Sequence, residues 1–205
     1  LHGQIATSNA VGRRHRGKGC QMTTEERPPA ERRLMNKAVH YLGRYTASRQ
    51  RLREVLKRFA LRKLESHEQT EIDRALESVI EDCVRLGYVD DTAFALSRAR
   101  GKRRAGRSAM AIRRNLQEHA IDPQTVDEAL QAADEDLADG ELAAALRHAA
   151  RRRIGPYTLR DVDEAGRNRH LASFARAGFS LAVARQVMAL EDAAAADELA
   201  EELRR

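Results

Sequence analysis

The chain of 205 residues carries 37 Lys and Arg against 31 Asp and Glu, giving a formal net charge of +6 and a pI near 9.7. Aromatic residues make up 4% and Trp is absent, which argues against a β-sandwich and for helices packed through small side chains. The charge balance points to a polyanion or an acidic protein surface as partner, the plainer alternative being arginine spread over solvated faces.

No apolar run is long enough for a membrane span, and the basic N-terminus lacks the apolar region of a secretory signal. Cys20 and Cys83 are too few for a metal-ligand set and read as reduced thiols, so a cytoplasmic protein is expected. Residues 1–31 hold scattered Gly, Pro and basic residues without a helical period, and read as disordered. The first residue is Leu, and Met22 opens a polar segment, so the working protein is expected to begin near Met22. The competing idea is a basic arm gripping nucleic acid through Arg13, Arg14, Arg16 and Lys18.

A helical period then sets in. Leu34, Ala38, Tyr41, Leu42 and Tyr45 form one stripe, Leu52, Val55, Leu56 and Phe59 a second, and Ile72, Leu76, Val79, Ile80 and Cys83 a third. Thr46 and Ser48 break the first stripe and can cap the next helix, and Gly87 suits the left-handed position past the third. Residues 32–89 therefore read as a three-helix unit.

The stretch from Leu86 to Leu116 organises the chain. Asp90 and Asp91 are N-cap candidates for a helix through Thr92, Phe94 and Ala95. Arg98, Arg100, Lys102, Arg103, Arg104 and Arg107 then crowd its end, and Ser108 restarts a helix carrying Ile112, Arg113, Arg114 and Leu116. These cations exceed what a helix dipole needs, since that effect acts only within the last turn. Tyr88 and Phe94 flank the run; packing between helices suits them better than stacking on bases. Asp122-Pro123 caps a further helix, closing a second unit at residues 90–133.

A third unit spans residues 134–192, with Leu142, Ala145, Leu146 and Ala149, a loop from Arg153 to Asp161, a helix from about Asp163 to Gly178, and a last helix capped by Ser180. An Ala- and Glu-rich tail at 193–205 reads as a helical extension or as frayed. The middle helices overlay without gaps as Leu56–Leu61, Leu116–Ile121 and Phe174–Phe179, each with a small residue at its fifth place. The fold expected is all-α: an elongated, curved array of three tandem three-helix repeats, each covering its neighbour's apolar face.

No phosphate loop, His-Glu-x-x-His or Cys-x-x-Cys is present, and the seven His are scattered, so neither enzyme nor cofactor nor metal site is expected. Asp90 and Asp91 read as a cap and a solvated neighbour rather than a catalytic pair.

At Leu86-Gly-Tyr-Val-Asp-Asp-Thr-Ala-Phe-Ala95 and Ile112-Arg-Arg-Asn-Leu116 the chain resembles the RecX family of regulatory proteins. Ala177-Gly178-Phe179-Ser180 is similar to that family's Arg-Gly-Phe-Ser signature, and the resemblance runs from about Leu34 to Leu190. Ala120 stands where the family usually has Gly, and Ala177 where it usually has Arg. The resemblance implies tandem three-helix repeats and a monomer that binds the RecA recombinase filament in its groove. Such a protein limits filament growth, ATPase and strand exchange in recombination, DNA repair and the SOS response; some members also bind DNA, single- or double-stranded. The contacts expected are Arg98, Arg100, Lys102, Arg103, Arg104, Arg107, Arg113 and Arg114. The rival is a sequence-independent DNA-binding helical protein acting without a recombinase. A helix-turn-helix repressor reading with Ser108–Ala120 is weaker, because that helix start lacks a base-reading set.

Overall fold

The computed structural model describes residues 27–159 and 161–204, and the expectations for residues 1–26 (disorder, a start near Met22, a basic arm) lie outside them. Serines and aspartates decide where the helices begin. Helices α1 (Pro29–Leu42), α2 (Arg49–Lys63) and α3 (Gln69–Arg85) come first; α4 (Asp91–Arg104), α5 (Ala109–Glu118) and α6 (Pro123–Ala133) follow. Next are α7 (Gly140–Arg152), a 3₁₀ turn (Gly155–Tyr157), α8 (Glu164–Arg176), α9 (Leu181–Met188) and α10 (Ala193–Glu202). Ser48, Asp90, Ser108, Asp122, Asp139, Asp163, Ser180 and Asp192 each accept from the backbone N–H three residues on. Each such cap is worth about 1 kcal/mol.

Several helices end in the same way. Gly87, Gly106 and Gly178 take positive φ, and the next residue's N–H reaches back to Cys83, Lys102 or Phe174. Helix α5 ends likewise but with Ala120 at φ 52°.

Three buried clusters follow one another along the chain. Leu34, Leu52, Leu56, Leu76, Val79 and Ile80 fill the first; Phe94, Ala99, Ile112, Leu116 and Leu130 fill the second. The third holds Leu146, Ala149, Phe174, Phe179, Val187 and Ala196. Phe94, Ala95, Ala99 and Arg103 are the buried residues of α4, which packs on both α6 and α7. Among the described residues the chain is all-helical, apart from an isolated bridge between Leu137 and Arg204.

The structure corrects the sequence reading at the N-terminal boundary. Helix α1 begins at Pro29, and Arg27 pairs with Glu31 and with Asp82 of α3, so ordered chain reaches into the segment read as disordered. At the end of α2, which runs on to Lys63, Leu61 is 69% exposed and Leu64 is buried. Of the two readings of the tail, the helical extension is the one seen: Ala193–Glu202 is a packed helix, Ala196 and Leu203 are buried, the Tyr157 hydroxyl donates to Asp197 at 2.7 Å, and Ala138 N–H donates to the Leu203 carbonyl at 2.8 Å.

One joint is used twice between units. Ser48, the cap of α2, donates to the His119 carbonyl at the end of α5 (3.2 Å), while Arg49 N–H donates to Asp91 at the start of α4 (2.8 Å). Ser108, the cap of α5, donates to the Ala177 carbonyl at the end of α8 (2.7 Å), while Ala109 N–H donates to Glu141 at the start of α7 (2.8 Å). Asp91 is therefore a cross-unit acceptor, not a solvated neighbour of Asp90.

Candidate functional site

The basic run occupies the end of α4 and the hinge into α5, between the second and third units. The structure does not present it as one surface. Arg98 is exposed, lies over the Phe94 ring at 5.4 Å and donates to His119 Nε2 at 3.1 Å. Arg100, Arg104 and Arg107 are exposed, without a side-chain ion pair among the described residues. Lys102 is half-buried; burial first, then Arg98 and Arg107, hold its ammonium below the ordinary value, with Glu118 acting the other way.

Arg103 is the correction. It is 5% exposed, and its Nη2 and Nη1 reach Asp134 at 2.7 Å and Glu141 at 2.6 Å. Nη1 also donates to the Arg107 carbonyl at 3.2 Å. A guanidinium buried and shared between two carboxylates belongs to the joint between units and cannot meet a partner. Arg113 and Arg114 lie on the outer face of α5, paired with Asp127 at 3.0 Å and with Glu118 at 3.7 Å. Exposed pairs of this kind are weak, so both side chains are available to exchange partners.

The motif residues divide in the same way. Asp90 caps α4, Gly87 is an exposed left-handed turn, and Ala95, Ile112, Leu116 and Phe179 are buried. Phe94 is buried edge-on to His119, as packing requires, but Tyr88 is 55% exposed and packs in no core. A side chain at Gly178 would strike the Ser108 hydroxyl at 2.7 Å, so that glycine permits the second joint.

Two clefts flank the strip. One, of about 300 Å³, is lined by Thr46, Phe94, Ser97, Arg98, Gly101 and Lys102. The other, of about 260 Å³, brings Arg152 of α7 and Arg176 of α8 beside Arg107. Gly106 makes that approach possible: a Cβ there would lie 2.7 Å from the His148 backbone nitrogen, so any side chain would push the hinge off α7. Sequence reasoning missed Arg152 and Arg176, which stand far from the basic run in the chain and join it only through tertiary packing. A further recess of about 540 Å³ near the end of α6 is lined by Glu128, Asp134 and Glu135 among others and has the wrong sign for an anion.

Chemically this face can hold oxyanions by charge-assisted hydrogen bonds. Among the described residues no group of His, Cys, Asp or Glu could hold a metal ion, and no helix is long and apolar enough to cross a membrane. Burial pushes the Cys83 thiol up to about 11, with Asp82 adding to the effect, so it is a poor nucleophile.

Comparison with known proteins sets this geometry in a family. The family model for the RecX second three-helix domain matches residues 90–130, the stretch holding α4, α5 and most of α6. Regulatory protein RecX of Myxococcus xanthus is 35% identical over 158 residues, covering 76% of this chain and 83% of that protein. Regulatory protein RecX of Agrobacterium fabrum is 28% identical over 166 residues, covering 81% and 87%. The crystal structure of RecX from Lactobacillus salivarius has the same fold, with a TM-score of 0.54 at 20% identity over 78% of this chain and 94% of that one. On the strength of the Myxococcus relative, which this chain matches over most of its length, the chain belongs to the RecX family of regulatory proteins.

Proposed function

We propose that the chain regulates the RecA recombinase in recombination and DNA repair by binding along its filament on DNA. The reading is of a cytoplasmic monomer without catalytic step or cofactor, acting by occupancy. An array of units spanning adjacent protomers restrains their relative motion and the addition of further ones. The observation that carries this reading is the set of exposed cations Arg98, Arg100, Arg104 and Arg107, with Lys102 half-buried among them, on a chain of this family. Arg113 and Arg114 extend it along α5, and Arg103 supports it from beneath.

The test is RecA ATPase on single-stranded DNA with increasing amounts of the chain. Inhibition that grows with the amount of chain is the expected result; potent inhibition well below one chain per recombinase protomer would favour capping of filament ends over coating of the groove. Unchanged ATPase and strand exchange at saturating protein would overturn the proposal. The charge reversal R100E/R104E should weaken inhibition without altering the fold, because neither side chain has an ion pair to lose.

A further inference from the structure

The cleft between the α4–α5 hinge and the third unit is a built site that the cationic strip alone does not account for. Its walls are three guanidiniums, Arg107, Arg152 and Arg176, from three separate segments, with Ser173, His148 and Ile154 completing the lining. All three arginines are exposed, and none has a side-chain ion pair among the described residues. Like charges converge in this way at a cost that folding alone gives no reason to bear.

The nearby carboxylates are already engaged. Asp134 and Glu141, which stand by the hinge, are held by Arg103 at 2.7 and 2.6 Å, and Arg103 also grips the Arg107 carbonyl. The buried arginine thus fixes the backbone of Arg107 while taking up the acids that would otherwise neutralise its side chain. Beneath the cleft, His148 is 3% exposed and sits between the Phe174 and Phe179 rings, at 5.4 and 5.5 Å. Its Nε2 lies 3.4 Å from Ser173 Oγ, and its buried Nδ1 has no partner.

We infer that this cleft binds a backbone phosphate of a nucleic-acid strand, with Arg107, Arg152 and Arg176 as the wall and the Ser173 hydroxyl as a further donor. The inference rests on reading the strip as a polyanion face, and it names the third unit as part of that face. A phosphodiester fits better than the carboxylates of a protein partner. Among the described residues Ile154 and Ala177 are the cleft's only apolar lining, with no exposed aromatic or large apolar anchor such as protein interfaces use. Polar, strongly cationic lining is the pattern of nucleic-acid interfaces. Continuity agrees: Arg107 acts electrostatically on Lys102 on one side and on His148 on the other, so a strand seated here leads on toward Arg98.

The experiment is binding of the full chain to a fluorescent oligothymidylate without terminal phosphates, at several salt concentrations and without recombinase. R152Q/R176Q should lose roughly tenfold or more in affinity, as two charge-assisted contacts imply. The slope of log K against log salt should become shallower by about 1.4, at about 0.7 per contact on single strands. R152K/R176K, which keeps the charge but not the fork, should retain the slope and recover part of the affinity. R32Q/R33Q, at exposed positions of α1, should change neither quantity, and urea midpoints of all variants should match the parent. R107Q serves as the second variant should the double one misfold, with a slope change of about 0.7. Failure of the parent chain to bind the oligonucleotide, or equal slopes in parent and variant, would overturn the inference. So would unchanged oligonucleotide binding with lost recombinase inhibition, which would assign the cleft to carboxylates of the protein filament and leave the proposed regulation standing. Conversely, altered slopes with no effect of the parent on recombinase ATPase would support the phosphate site and remove only the regulatory reading.

Discussion

The Ser108 hydroxyl donates to the Ala177 carbonyl at 2.7 Å while accepting from Ala111 N–H at 3.2 Å, so one side chain both starts α5 and fastens it to the end of α8. Ser48 does the same between α2 and α5, at 3.2 Å to each partner. The N-cap requirement leaves a serine hydroxyl with a free hydrogen, and the joint uses it. Stacking of units thereby depends on the residue that local helix formation already demands.

Ser108→Ala should therefore cost more than Ser180→Ala. Ser180 is exposed and caps α9 through Val183 N–H, so its loss removes about 1 kcal/mol. Loss of Ser108 removes a cap and also leaves the Ala177 carbonyl without this donor, adding about 1 kcal/mol or more. Urea midpoints of the two variants check the difference, and equal midpoints would mean that the cross-unit bond contributes nothing.

Arg103 is the second fastening. Replacing it by Gln or Lys leaves two carboxylates facing each other without the fork that spans them. Removing one partner of a buried ion pair costs about 3–5 kcal/mol, and the lower end applies because Asp134 and Glu141 keep 22% and 27% side-chain exposure. Thermal unfolding of R103K should show the loss. It should appear with oligonucleotide binding weakened as well, because Arg103 positions Arg107.

Ala120 carries strain that glycine would relieve. It sits exposed at φ 52° past α5, where Gly87, Gly106 and Gly178 serve at the equivalent ends of α3, α4 and α8. An L-residue in this conformation costs about 1–2 kcal/mol, partly offset by the greater chain entropy of an unfolded glycine. Ala120→Gly should raise stability by about 0.5–1 kcal/mol, read as a higher melting temperature. The reverse change at Gly178 should destabilise, since its φ is 85° and a Cβ would meet Ser108 Oγ at 2.7 Å.

Local signals were legible and distant ones were not. Ser48, Ser108, Asp122 and Ser180 could be read as caps because a cap is settled within three residues, and the apolar periods placed the helices around them. The fates of Asp91 and Arg103 depend on Arg49 and on Asp134 and Glu141, which no local pattern connects to them. In sequence, Arg103 is one cation among six in the run; only packing of α4 on α7 distinguishes it from Arg104. The overlay of the three middle helices does not extend to their ends, since α2 lacks the left-handed turn that ends α5 and α8 and leaves Leu61 exposed where Ile121 and Phe179 are buried. Arg152 and Arg176 give no signal of a site, since Arg152 stands among three arginines at the end of α7 and Arg176 at the end of α8, where cations are ordinary.

Acid should loosen the array, and His148 is the residue through which this acts most directly on the cleft. Burial first, then Arg151, Arg152 and Arg107, hold its pKa below the ordinary 6.5; Ser173 and the Phe174 and Phe179 rings face it without offering a counter-charge. His119 is lowered by burial and Arg98 against an opposing Glu118, and His170 by burial and Arg169. In the unfolded chain these groups return to about 6.5. Below that pH the unfolded state binds protons that the folded state refuses, so stability is full above about pH 7 and falls as pH drops through 6.5 toward the depressed folded values. Urea midpoints at pH 7.5 and pH 5 should show the fall, and His148→Leu should flatten it. An oligonucleotide in the cleft supplies the missing negative charge, so it should also reduce the acid sensitivity of the parent while leaving that of His148→Leu unchanged. An equal effect of oligonucleotide on both proteins would separate His148 from the cleft.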